Sequence, residues 1–250
     1  MNIKWDAQTY TDHFSFVHEY GEDVIKLIEQ HDALSVLDLG CGNGALTKKI
    51  SDLGMNVIGM DASEELLKVA RENYPDLTFI KGDATNFELA ENVDVVFSNA
   101  VFHWIHQEKQ MQMLKCVYKA MKDGGQFVFE FGGSGNNIQI HNALEQEFRA
   151  RGKVYHMPFY FPTIGEYTTL LEKVGFKVKY AILFDRMTKL NGEDGLADWI
   201  KMFVKIPFEG MNREERETII NQAVLSLKGK LYHNGIWYAD YVRIRGKAIK

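Results

Sequence analysis

Between residues 35 and 131 the chain alternates short β-rich runs with longer stretches of helical spacing, and that alternation leaves few folds open. Strands joined by helix-length crossovers pair in parallel, and a parallel sheet must be covered on both faces. The spacing predicts strands over 35–39, 56–60, 77–80, 93–98 and 126–131, with helices over 45–53, 64–74 and 109–121 between them. Gly124 and Gly125 are expected to cap the last of these helices and turn into the fifth strand, since a left-handed conformation costs glycine little.

After Phe131 the rhythm changes to a Gly-Gly-Ser-Gly-Asn-Asn run, a long helical stretch, the aromatic segment His156-Met157-Pro158-Phe159-Tyr160-Phe161-Pro162, and a helix over 163–174 that stops at Gly175. Strands at 177–184 and 237–246 return the chain to the sheet. Amphipathic helices over 195–204 and 213–228 lie between them, and Trp199, Ile200, Phe203 and Val204 are spaced for one buried stripe. The expectation is a Rossmann-like, doubly wound, mostly parallel seven-stranded sheet with helices on both faces and an inserted helical, aromatic cap.

Hydrophobic residues at 46% of 250 suffice for one large core, or a core with a modest second lobe. A net charge of −5 with scattered basic residues provides no field for a phosphate backbone, which argues against a nucleic-acid substrate. Cys41 and Cys116 stand in no metal-ligand spacing, so no metal is expected and reduced thiols point to a cytoplasmic setting. The first residues lack the apolar core of a signal peptide, and no run nears the ~18 apolar residues of a membrane span.

The strongest local signal is Val36-Leu37-Asp38-Leu39-Gly40-Cys41-Gly42-Asn43-Gly44, a buried strand entering a glycine-rich turn that opens a helix. Glycines let the backbone approach a nucleotide ligand at the carboxyl end of the strand. Gly40, Gly42 and Ala45 also fit the dinucleotide fingerprint of nicotinamide enzymes. Asp38 discriminates, because a carboxylate there repels a pyrophosphate but favours the sulfonium and ammonium of S-adenosylmethionine. An Asp38 that merely orders the loop through hydrogen bonds is compatible with the same assignment. Asp61 ends the second strand 17 positions after Gly44, near the spacing of about 20 for an acid that accepts ribose hydroxyls. Ser63 then serves as the cap of the following helix. Asp83-Ala84 follows the third strand and Asn99-Ala100-Val101-Phe102-His103-Trp104 the fourth, all at the edge where open α/β sheets bind ligands.

Over roughly residues 35–131 these motifs resemble the class I S-adenosylmethionine-dependent methyltransferases. The text VLDLGCGNG, GMDAS, GDAT and SNAVFHWI, with the late helical insertion, is most similar to the trans-aconitate methyltransferase and small-molecule methyltransferase group. The resemblance implies S-adenosylmethionine as cofactor and a small-molecule acceptor, with a carboxylate oxygen as one candidate. It implies Asp38, Gly40, Cys41, Gly42 and Gly44 near the methionine part, Asp61 with Ala62 on the ribose, Asp83 and Ala84 at the adenine, and Asn99 with Ala100 near the methionine amino group. Trp5 and Tyr10 would lie over the cofactor. One domain of 1–250 follows, with a helical lid over 1–30, a cofactor-binding core over 31–133, cap and later sheet elements over 134–236, and a final strand over 237–250. Asp123-Gly124-Gly125 stands where many relatives have Pro-Gly-Gly, and the text after Gly132 carries over no substrate contact.

His103 and Trp104 are expected at the acceptor pocket, His103 as a general base, a hydrogen-bond donor or a structural residue. His106, His141 and His156 are weaker candidates. The aromatic segment either lines the pocket or packs the cap, and Arg149, Arg151, Arg186 and Arg243 are all available to an acidic acceptor. Phenol, amine and carbon acceptors, a non-catalytic cofactor-binding protein and a nicotinamide oxidoreductase remain as alternatives. No Asn-Pro-Pro-Tyr or Pro-Cys motif of a nucleic-acid methyltransferase is present.

Overall fold

A computed structural model describes residues 16–29 and 33–250, with side chains from residue 20 onward. In order the elements are α1 (Phe16–Ile25), β1 (Ser35–Leu39), α2 (Ala45–Asp52), β2 (Asn56–Asp61), α3 (Glu64–Asn73), β3 (Thr78–Lys81), β4 (Val93–Asn99), α4 (Gln107–Ala120) and β5 (Met121–Gly132). They continue with α5 (Ile138–Ala150), α6 (Ile164–Val174), β6 (Lys177–Leu190), α7 (Gly195–Phe203), α8 (Arg213–Leu231), β7 (Tyr232–His233) and β8 (Ile236–Ile249).

The sheet runs β3-β2-β1-β4-β5-β8-β6, with β7 paired to β8. The first five strands are parallel, whereas β8 is antiparallel to both β5 and β6. The expected doubly wound architecture is therefore present, with eight strands among the described residues rather than seven. The extra one is the two-residue β7, joined to β8 through Asn234-Gly235, whose φ values of 52° and 79° suit the tight hairpin turn that Asn-Gly favours. The late strands are also longer than their spacing suggests. β6 and β8 pair from Lys177 opposite Ile249 to Leu190 opposite Trp237.

Ser63 caps α3 by accepting from the Leu66 N–H, as expected, and Thr163 does the same for α6 toward Glu166. The expected cap at Gly124 is not formed. α4 ends at Ala120, Met121 is already extended at ψ 147°, and Gly124 at φ 78° lies in the irregular start of β5, where its N–H donates to the Lys250 carbonyl.

Apolar side chains sort into separate clusters. Val24, Ile25 and Ile28 pack with Leu46, Ile50, Val95, Phe97 and Val128 on one face of the sheet. Hence, within the span expected as a lid, residues 16–29 hold a helix seated in the core. The expected lid residues Trp5 and Tyr10 lie outside the described residues. On the other face Phe102, Phe127, Phe129, Phe131 and Tyr167 form a cluster of tilted and edge-on rings. A further cluster joins α5, α7 and α8 to the ends of β6 and β8, with Leu144, Phe148, Trp199, Ile200, Phe203, Ile220 and Tyr241 buried together. It places a helical layer beside the carboxyl ends of the parallel strands.

Candidate functional site

Each parallel strand from β1 to β4 ends in a polar or glycine-bearing segment, and these ends converge on one open cleft. Gly40, Gly42, Asp61, Ala62, Asp83, Ala84, Asn99, Ala100, His103 and Trp104 all line it, as the sequence motifs suggest. Asp38, Cys41 and Gly44 are not brought to its wall.

The loop after β1 is held by main-chain bonds: the N–H groups of Gly40 and Cys41 donate to the Met60 carbonyl at 2.7 and 3.0 Å. Gly42 has φ 56° and open space where a Cβ would stand, leaving backbone free to approach a ligand. Gly44 serves packing instead, since a Cβ there would come within 2.7 Å of the Phe79 ring. Cys41 is buried, and burial pushes its thiol far up. Asp38, 2% exposed, accepts from the Thr47 hydroxyl at 2.6 Å and so ties β1 to the first turn of α2. Burial raises its carboxyl to about 7, Thr47 opposing and the Asp61 charge adding.

Asp61 is the last residue of β2. Its Oδ2 accepts from the Gly42 N–H at 2.9 Å and its Oδ1 from the Ser63 N–H at 2.8 Å. Burial raises this carboxyl and the backbone donors partly offset it. A carboxylate offers about four lone-pair directions, so with the Gly42, Ala62 and Ser63 N–H groups on it capacity remains for a ribose hydroxyl. Asp83 Oδ1 is engaged by the Thr85 N–H and hydroxyl, both at 2.8 Å. Burial raises this group too, but the Thr85 bonds outweigh it and hold the carboxyl below its ordinary value. Ala100 sits at φ 62° with its N–H donating to the Glu130 carbonyl at 2.7 Å, a strained backbone of the kind found at ligand clamps. Together, the open Gly42 backbone, the Asp61 carboxylate and the clamp at Asn99-Ala100 fit a nucleoside bearing a charged amino-acid tail.

The other half of the cleft is aromatic. Trp104, Phe159, Phe161, Trp199, Phe203 and Tyr241 line it, Phe159 and Phe161 being stacked at 5.4 Å and Trp104 edge-on to Phe159 at 4.8 Å. Of the aromatic segment, Phe159 and Phe161 face the cleft, whereas Tyr155 bonds His141 at 2.7 Å and the Tyr160 hydroxyl donates to Glu166. His103 is buried, and its Nδ1 accepts from the Gly132 N–H at 3.3 Å, which leaves the ring proton on Nε2. Burial, with the Arg243 charge beside it, holds this imidazole well below its usual pKa. A neutral ring with Nε2 protonated is a hydrogen-bond donor and a poor base. His141 is likewise buried, with its pKa lowered to about 4 by desolvation, and does not line the cleft.

Of the four candidate arginines, Arg149 and Arg151 pair with Glu145 and Glu147 on α5, and Arg186 pairs with the buried Glu130. Arg243 alone of the four lines the cleft, 7% exposed, with its guanidinium over the Tyr241 ring at 4.2 Å. Asn136 and Asn137 also line it and were missed as site residues. Their signal was the Asn-Asn pair after a glycine-rich run, whose second member takes φ 54°.

Residues 36–125 match the methyltransferase domain family. An uncharacterized methyltransferase of Schizosaccharomyces pombe is 31% identical over 98% of this chain and 98% of its own length. A trans-aconitate 2-methyltransferase of Afipia carboxidovorans is 28% identical over 48% of this chain and 47% of its own. Among solved structures, a Haemonchus contortus phosphoethanolamine N-methyltransferase in complex with S-adenosylhomocysteine aligns with a TM-score of 0.59 at 16% identity, over 98% of this chain and 56% of that one. The chain belongs to the class I S-adenosylmethionine-dependent methyltransferases. S-adenosylmethionine is the cofactor of that family, and no described helix is long and apolar enough to cross a membrane.

Proposed function

We propose that this chain is an active enzyme that methylates a carboxylate oxygen of a small acid. The carrying observation is the chemistry of the aromatic half of the cleft. It holds a buried cation, Arg243, and no carboxylate side chain among the described residues that line it. A phenol, amine or carbon acceptor would need a base there, and His103 presents a protonated Nε2 instead. A carboxylate is already ionised at neutral pH and needs none. The relative named for trans-aconitate acts on an acid and supports the same reading.

Asp61, the Gly40–Gly42 loop and Asn99-Ala100 would hold S-adenosylmethionine, which supplies a methyl carbon activated by its sulfonium. Arg243 holds one carboxylate oxygen of the acceptor and fixes its plane, leaving the second oxygen to approach the methyl carbon in line. The new O–C bond forms as the C–S bond breaks, the electron pair going to sulfur. Negative and positive charge are both lost, so the Trp104, Phe159 and Phe203 walls, by excluding water, favour the step. No proton moves.

The test is release of S-adenosylhomocysteine, with methyl-ester detection, against panels of carboxylic acids, phenols and amines. Ester formation on an acid is expected. Turnover confined to phenols or amines would overturn the reading.

A further inference from the structure

We infer that the acceptor is a monocarboxylic acid with an extended apolar body, and that acids carrying a second carboxylate are rejected. This rests on the carboxylate reading, since Arg243 is taken to hold the acid group.

The charge balance of the cleft sets the number of carboxylates. Arg243 is the one cationic side chain among the described residues that line it. His103 adds no charge, because it is buried and its Nδ1 accepts from the Gly132 N–H. The remaining acid–base groups on the wall are the carboxyls of Asp61 and Asp83 at the strand ends. A second carboxylate on the acceptor would be taken out of water with no further cation to answer it and with two acids sharing the cleft. Trans-aconitate, with three carboxylates, would leave two of them in that position.

The apolar body is read from a continuous arc of rings that ends on the cation. Phe161 stacks on Phe159 at 5.4 Å, Phe159 meets Trp104 at 4.8 Å, and Trp104 meets Phe203 at 6.3 Å. Phe203 meets Trp199 at 5.4 Å, Trp199 meets Tyr241 at 6.2 Å, and the Arg243 guanidinium lies 4.2 Å over the Tyr241 ring. All six aromatic residues line the cleft. The end of the arc beside Arg243 is buried, whereas Trp104, Phe159 and Phe161 at the far end stay part-exposed. Large apolar faces gathered in one cleft and left partly wet mark a ligand surface. An acid held at Arg243 with its chain laid along the arc covers them, and each methylene so buried gains about 4-fold in affinity.

The test measures kcat/KM at saturating S-adenosylmethionine, by methyl-ester detection, for hexanoate, octanoate and decanoate. Their ω-carboxylated counterparts adipate, suberate and sebacate, and trans-aconitate, are run beside them. Each monoacid is expected to exceed its diacid by ~100-fold or more, and octanoate to exceed hexanoate by ~10-fold or more. Phe159→Ala and, separately, Phe161→Ala should flatten the rise with chain length, with calorimetric binding of S-adenosylhomocysteine reporting that each variant is folded. Diacids or trans-aconitate turned over as well as the monoacids would overturn the inference and leave the carboxylate reading standing, as would a kcat/KM indifferent to chain length. A rise with chain length that survives both variants would overturn the role of the arc. Turnover of no acid would overturn the carboxylate reading and this inference with it.

Discussion

Asp38→Asn should make the cofactor-free protein more stable, increasingly so as pH rises. Burial lifts the Asp38 carboxyl to about 7, whereas an unfolded chain titrates it near 3.9. A folded-state value above the unfolded one means that the stabilisation is complete below about pH 4 and is lost as pH rises through 7. The gap of about 3 units corresponds to about 4 kcal/mol, of which about 2 kcal/mol is already lost at pH 5 and nearly all at pH 8. Asparagine cannot ionise, yet its Oδ1 still accepts the Thr47 hydroxyl bond seen at 2.6 Å. Urea unfolding of both proteins at pH 5, 6.5 and 8 should therefore show the variant ahead by about 2 kcal/mol at the lowest pH and about 4 kcal/mol at the highest. The ratio of S-adenosylmethionine to S-adenosylhomocysteine affinity should fall in the variant, because only the former carries the sulfonium. A difference in stability that stays constant across the pH range, or a variant weaker at pH 8, would refute the account of Asp38 as a strained buried carboxyl.

Three further outcomes are expected. Asp61→Ala removes the acceptor of the Gly42 and Ser63 N–H groups along with the proposed ribose contact. Calorimetry with S-adenosylhomocysteine should show a loss of about 3 kcal/mol, roughly 100-fold, with the far-UV spectrum unchanged; undiminished affinity would remove Asp61 from the site. Glu130→Gln leaves Arg186 and Arg245, which share that one buried carboxylate at 2.6–3.1 Å, without their counter-charge. A thermal melt should register about 3 kcal/mol, or ~6–12 °C, and the bond that holds Ala100 to the Glu130 carbonyl should loosen with it. Arg243→Gln should raise the KM for an acid acceptor by ~30-fold or more in steady-state kinetics while cofactor binding is retained, and an unchanged KM would show that the guanidinium does not hold the acceptor.

The cofactor half of the cleft was legible because each of its parts is local. A strand, a turn and a helix start lie within nine residues of Val36–Gly44, and Asp61, Asp83 and Asn99 fall at or just after strand ends that period-two patterning locates. Side-chain direction was not legible at that level. Whether Asp38 meets the ligand or Thr47 depends on how β1 meets α2, and Gly44 turned out to be required by Phe79, thirty-five positions away. The capping role expected of Gly124 failed for a similar reason, since the residue it bonds at the irregular start of β5, Lys250, is 126 positions away.

The acceptor half was illegible because it is assembled by an antiparallel register that no local pattern reveals. In β8 the text Val242-Arg243-Ile244-Arg245-Gly246-Lys247 alternates, and a period of two sends its members to opposite faces. Ile244 enters the aromatic core, while the three basic residues share the other face. That placement is unfavourable unless each charge meets an answering group. Arg245 meets Glu130 and Lys247 meets Glu29 at 2.6 Å. Arg243, opposite Gly132 on β5 and next to the Val242 whose N–H is taken by Asn136, is the member of the row that the register delivers to the cleft. The same pairing brings in the Asn136-Asn137 turn, because residues 137 and 139 are fastened to Asp240 of that strand. One strand thus supplies the cation and anchors the Asn136-Asn137 turn, so under the proposed function acceptor choice in relatives of this chain should change through β8 and the turn after β5 while the β1–β4 ends vary less.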